Sequence, residues 1–181
     1  MGTSVVLGAN DVIAFWRDAG PKKWFTKDAA FDESFREQFL HLHERAAAGK
    51  LESWLTTAEG ALALVILLDQ FPRNAFRNSP RMYATDALGR YYAERAIEAG
   101  FDQKVDPELR FFFYLPFSHS EQIADQERAV ALHETINFTE HAIAHRDVIR
   151  RFGRFPHRNA ILGRESTAEE KEFLEKGEFA W

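Results

Sequence analysis

Three short polar stretches hold the residues of this 181-residue chain best suited to chemistry. The first is Arg154-Phe155-Pro156-His157-Arg158-Asn159, with Arg164 close behind. From His141 to Arg164 the chain places six arginines against one aspartate, a local charge of +5 in a molecule of formal charge −5. Planar guanidinium forks match carboxylates and phosphates, and positive charge gathered in one segment sets up a local field. Pro156 disfavours helix at Phe155, which puts Arg154, His157 and Arg158 on a turn between helices. Such a turn reads as an anion site. The same arginines would equally tie helices together by pairing with Asp69, Asp86, Glu121 or Asp125, and both readings stay open.

The second stretch is Asp69-Gln70-Phe71-Pro72-Arg73-Asn74. Asp69 falls in the last turn of the most apolar helix, where the helix dipole disfavours negative charge. It therefore needs a positive partner or several donors, and Arg73 and Arg77 are near in sequence. FPRN at Phe71–Asn74 echoes FPHRN at Phe155–Asn159. The echo reads either as a weak internal repeat of two equivalent helix–turn–helix corners or as coincidence.

The third is Ser118-His119-Ser120-Glu121. With Ser118 as N-cap and Glu121 three residues on, it is a capping box, and the first-turn N–H groups would favour an anion. A serine, a histidine and a carboxylate this close also suggest nucleophilic catalysis, but triad partners meet from distant segments. His141 and His145 share a helix face, as zinc ligands often do. Ala142 stands where the metalloprotease pattern has glutamate, and the stripe Phe138, Ala142, His145, Ile149, Phe152 puts His145 in a core. No metal and no cofactor are assigned.

Composition limits the classes further. Hydrophobic residues make up 45% and charged residues 28%, ordinary for a folded protein. The negative net charge argues against nucleic acid as partner. Cysteine is absent, which excludes disulfides, thiolate zinc sites and thiol catalysis. The N-terminus lacks a basic signal-peptide region. The longest apolar run, Ala61 to Leu68, falls far short of the roughly 18 residues needed to span a bilayer. A cytoplasmic protein without membrane association is the expectation.

Helices must position these stretches. One is expected from Asn10 to the Gly20-Pro21 break, and one from Asp32 to Ala48 with Phe31, Phe35, Phe39, Leu42 and Ala46 on one face. A third follows Thr56 and Glu59, read as a capping box, and its centre ALALVILL is apolar all round and so central, ending at Phe71-Pro72. A fourth runs from Ser79-Pro80 to Ala99. A short aromatic helix after Asp106-Pro107 stops near Pro116. Further helices run from Ser118 to Ile136, from Phe138 to Phe152, and from the Thr167–Glu170 capping box. No alternating strand pattern occurs, so the fold class is all-α. Residues 1–9 read as an N-terminal tail and 10–181 as a single domain of antiparallel helix pairs.

WLTTAEGALALVILLDQFPRNAFR, RFFFYLPFSHSEQIADQ and RFGRFPHRNAILGRESTAEE closely resemble the DUF924 family of uncharacterised bacterial proteins. The resemblance runs from Phe15-Trp16 to Thr167, and the family pattern includes His145 but not His141. It implies a right-handed array of helix pairs of the tetratricopeptide-like superfamily, and it brings no activity or substrate.

Three functional readings follow. In the first, the chain is a binding module whose Asp69, Gln70, Arg73, Asn74, His119, Arg154, His157, Arg158, Asn159 and Arg164 line a site for an anionic small molecule or a peptide carboxylate. In the second, the same pocket is a hydrolase-type enzyme in which His119 or His157 is the acid/base, Glu121 or Asp69 orients it, and Arg154 and Arg158 stabilise negative charge. In the third, these groups form a buried polar network that serves the fold alone.

Overall fold

The computed structural model describes residues 6–177; the start of the expected N-terminal tail lies outside them. Among the described residues the chain is all-helical, with no strand. The α-helices are α1 (Ala9–Ala19), α2 (Pro21–Trp24), α3 (Ala29–Ala47), α4 (Ala58–Val65), α5 (Phe71–Ala75), α6 (Asp86–Glu98), α7 (Leu115–Ser118), α8 (Ile123–Glu134), α9 (Glu140–Phe152) and α10 (Ala168–Lys176). None is long and apolar enough to cross a membrane. The chain divides into two compact units, one of residues up to 77 and 81–113, the other of residues 78–80 and from 114 on.

In the first unit, α4 is apolar apart from the exposed Glu59 of its first turn and packs between α1 and α6. All eight residues of ALALVILL are enclosed, as an apolar surface on every side requires. The aromatic face of α3 lies beside them: Phe15 stacks on Phe31 and Phe35 at 5.3 and 5.1 Å, and Phe35 meets Phe71 edge-on at 5.0 Å. Asp28 caps α3, its Oδ1 accepting from the N–H groups of Ala30 and Phe31.

Pro72 does not end the apolar helix. The chain widens into a π-helix over Ile66–Gln70, in which Phe71 N–H reaches the Ile66 carbonyl, and then continues as α5. The reason is arithmetic on donors. Proline has no N–H, so it cannot serve the Leu68 carbonyl in α register or the Leu67 carbonyl in π register. Side chains replace it: His43 Nδ1 donates to Leu67 O at 2.8 Å and Thr85 Oγ1 to Leu68 O at 2.6 Å. These carbonyls are thus satisfied despite complete burial.

Several helix starts also differ from expectation. Thr56 bonds back to Ser53 O within a 3-10 helix over Glu52–Thr56, and Thr57 caps α4 instead. Pro80 opens only a 3-10 turn, and α6 begins at Asp86. Pro116 starts a helix rather than stopping one, lying in the first turn of α7. Gly60 shows how tightly α4 seats: a Cβ there would run into the Trp54 carbonyl oxygen. Gly60→Ala is expected to cost about 1–3 kcal/mol, the range for overpacking, read as a lower urea midpoint. An unchanged midpoint would mean that the 3-10 turn yields freely.

The second unit is built from α7 to α10. α8 and α9 pack on each other, and α7 packs on both. Val148, Ile149, Phe155 and Phe173 form a core with Phe152 against it. Phe138 departs from the expected stripe and is exposed.

Candidate functional site

The residues singled out in the first unit are held in a carboxylate–guanidinium knot. Asp69, only 1% exposed, accepts from Gln70 Nε2 at 2.6 Å and pairs with Arg73 Nη1 at 3.5 Å. Arg73 also donates to the Asp69 carbonyl at 2.7 Å and takes both oxygens of Asp86, at 2.7 and 3.0 Å. Burial opposes the charge on Arg73, but Asp86 and Asp69 outweigh it and raise its pKa further. Asn74 donates to Asp32 Oδ1 at 2.8 Å, and Arg77 holds the same carboxylate through two nitrogens. The odd carboxylate at the end of the apolar helix thus has the cation that its position demands.

The other singled-out residues belong to the second unit. Gly153 ends α9 in left-handed conformation, and Phe155 is extended ahead of Pro156, so a 3-10 turn over Pro156–Arg158 follows. This is unlike Pro72 within its helix, so the two FP echoes are not equivalent corners. Arg154 reaches Glu170 Oε1 through Nε at 2.7 Å and Oε2 through Nη2 at 2.9 Å. Glu170, 2% exposed, also accepts from Asn159 Nδ2 and from Thr167 N–H, which closes the expected capping box. Arg164 grips both oxygens of Glu121 at 2.8 and 2.9 Å, and donates to Asn159 Oδ1 and Phe155 O.

Glu121 therefore does not open a helix with Ser118. Ser118 is the last residue of α7, Gln122 caps α8, and Glu121 Oε1 accepts from Phe155 N–H at 2.8 Å. Burial raises the Glu121 pKa, but the Arg164 and Phe155 hydrogen bonds prevail and lower it, so it remains a carboxylate at neutral pH.

Most of the segment's positive charge is met by carboxylates. Arg146 and Arg150 pair with Glu127 and Asp147, and Arg151 with Glu169. Arg158 lies deeper than these. It is 7% exposed, with Nη2 on the His119 carbonyl at 2.8 Å and its guanidinium over the Phe155 ring at 4.6 Å. Its charge acts on both Glu121 and His145. His119 and His157 are half-buried; the His119 ring lies 6.4 Å from that of His145, and the His157 ring 5.8 Å from that of Phe155.

Two contributors were not among the expected site residues. Glu170 was legible only as a capping residue, because its pairing to Arg154 spans a loop. His133, fully enclosed on α8, continues the buried face of Gln126, Ala129 and Val130, and that three–four spacing was its one signal. Among the described residues, no group of three or more His, Cys, Asp or Glu is placed to hold a metal ion.

Fold and site together define an all-helical protein in which arginine–proline stretches of both units are locked by buried carboxylates. The family model described as "Bacterial protein of unknown function (DUF924)" matches residues 12–178, and the chain belongs to that family. A solved structure, that of the protein of unknown function ATU0120 from Agrobacterium tumefaciens, is 55% identical. It covers 93% of this chain and 97% of its own, with a TM-score of 0.91. No curated protein matches the chain.

Proposed function

We propose that the second unit is a binding module for a small anion, a phosphate or the carboxylate of a small molecule or peptide end. Arg158, His119 and His157 receive it. The observation that carries this reading is the seat of Arg158, a buried guanidinium laid over Phe155, with Nη2 on the His119 carbonyl and its charge acting on His145. A cation held at a dry site attracts an anion far more strongly than one in water. Arg154, Arg164, Asn159, Glu121 and Glu170 then have a positioning role. Their bidentate pairs hold the Pro156 turn rigid, and rigidity lowers the entropy cost of binding. Asp69, Gln70, Arg73 and Asn74 serve the first unit in the same way. This reading takes the helices as one tetratricopeptide-like array of a cytoplasmic protein.

The test is thermal unfolding in phosphate, acetate or succinate against chloride at matched ionic strength. The Tm is expected to rise with anion concentration, because a ligand that binds only the folded state stabilises it. Added salt should reduce the effect by screening. Arg158→Gln is expected to stay folded and lose the rise. A wild-type Tm that stays flat across all three anions would end this reading.

A further inference from the structure

We propose that the histidines of the second unit form an acid-sensitive latch: while neutral they let α7, α8 and α9 pack together, and when charged they force that packing open. His133 is 0% exposed. Its Nδ1 lies 2.8 Å from the Ala129 carbonyl, so the ring proton sits there and Nε2 carries the lone pair. Nε2 is buried and has no hydrogen-bond partner among the described residues. Protonation would place a new N–H, and a charge, where nothing receives them. His145, 5% exposed, is anchored in the same way, with Nδ1 2.8 Å from the His141 carbonyl. Its ring lies 4.1 Å from that of His141 and 6.4 Å from that of His119.

The charges facing this group come from each element around it. His119, just after α7, acts on all three other histidines. His133 from α8 acts on His141, and His141 on its helix neighbour His145. Arg158, from the Pro156 turn, acts on His145. The Tyr114 ring meets His133 edge-on at 5.7 Å, and Glu121 is held by Arg164. Like charges would thus accumulate within one small volume. Burial, then these neighbours, pushes His145 down to about 2, and burial likewise lowers His133, helped by His119.

The direction of the pH effect follows. A histidine neutral in the fold and ordinary when released takes up a proton on opening. Its contribution is fully present above its ordinary value of 6.5 and is lost as pH falls below it. Each such histidine multiplies the opening equilibrium about tenfold per pH unit, and His133 with His145 about a hundredfold.

Amide hydrogen exchange on the full chain at pH 7, 6 and 5, corrected for intrinsic rates, tests this. Opening of α8 and α9 is expected to rise at least about a hundredfold from pH 6 to pH 5, with a further factor of up to about ten from His141 on α9. The first unit, with one buried histidine lowered by burial, His43, should rise only about tenfold. His133→Phe and His145→Phe should each remove about one factor of ten. If either variant fails to fold, the imidazole NMR signals of the wild type decide. Rings of His133 and His145 that stay neutral in the folded protein down to pH 5 support the latch. Rings that titrate near 6.5 with α8 and α9 intact, or protection of those helices that is flat from pH 7 to 5, overturn it.

Discussion

Arg73→Ala is expected to destabilise the first unit by about 3–5 kcal/mol, the range for removing one partner of a buried ion pair. Arg73 stands between Asp69 and Asp86, with side chains 1% and 13% exposed. Without the guanidinium, two carboxylates face each other with little water, and the Asp69 carbonyl loses a donor. Lost charge outweighs lost packing here, so Arg73→Met, which keeps most of the volume, should fare little better. Asp69→Asn should cost less, since Asp86 still pairs with Arg73 and an amide oxygen can still accept from Gln70. Urea unfolding followed by tryptophan fluorescence reads the effect, because Trp16, Trp24 and Trp54 all lie in the first unit. Trp181→Phe removes the remaining indole. A loss below about 1 kcal/mol, as for an exposed pair, would mean that the knot adds little.

In the second unit the largest effect is expected at Glu170. Glu170→Ala should cost about 3 kcal/mol, the low end for a broken buried pair, because Arg154 is partly solvated and can find water. Asn159 and the Thr167 N–H lose their acceptor as well, so α10 should fray first. The hydrogen bonds from Arg154 and from Thr167 N–H overcome burial and lower the Glu170 pKa to about 2 from 4.5. Its contribution is thus complete above pH 4.5 and is lost as pH falls toward 2. Glu170→Gln keeps the shape without the charge and should remove that acid-dependent part. Equal stability of wild type and Glu170→Gln at pH 7, with the same slope below pH 4.5, would refute the assignment.

How far the sequence could be read depended on whether a signal was local. Periodicity located α3 and α4, since a helix buries whichever face is apolar. The Thr167 capping box was legible because both its bonds close within three residues. Where a capping side chain bonds outside its own turn, the boundary moved. Thr56 donates to Ser53 O, Glu121 goes to Arg164, and Ser118 ends a helix rather than starting one. At the site, sequence marked the arginines and offered Glu121 and Asp69 as partners, which Arg164 and Arg73 take, but it did not mark Glu170, Glu127 or Glu169. Composition announces an excess of charge, whereas pairing over 11 to 43 residues is a property of the fold. His133 shares one face of α8 with Gln126, Ala129 and Val130, a short stripe in a polar helix, and α7 and α9 complete its enclosure.

The carbonyls of Leu67 and Leu68 are capped by His43 from α3 and by Thr85 ahead of α6. The middle of the apolar helix therefore cannot fray alone, because opening it strands groups on two other segments. Local unwinding and loss of tertiary packing become the same event there. The first unit then behaves through this stretch as one cooperative body rather than as separable helices. A proline that would elsewhere be a weak point makes three segments depend on one another.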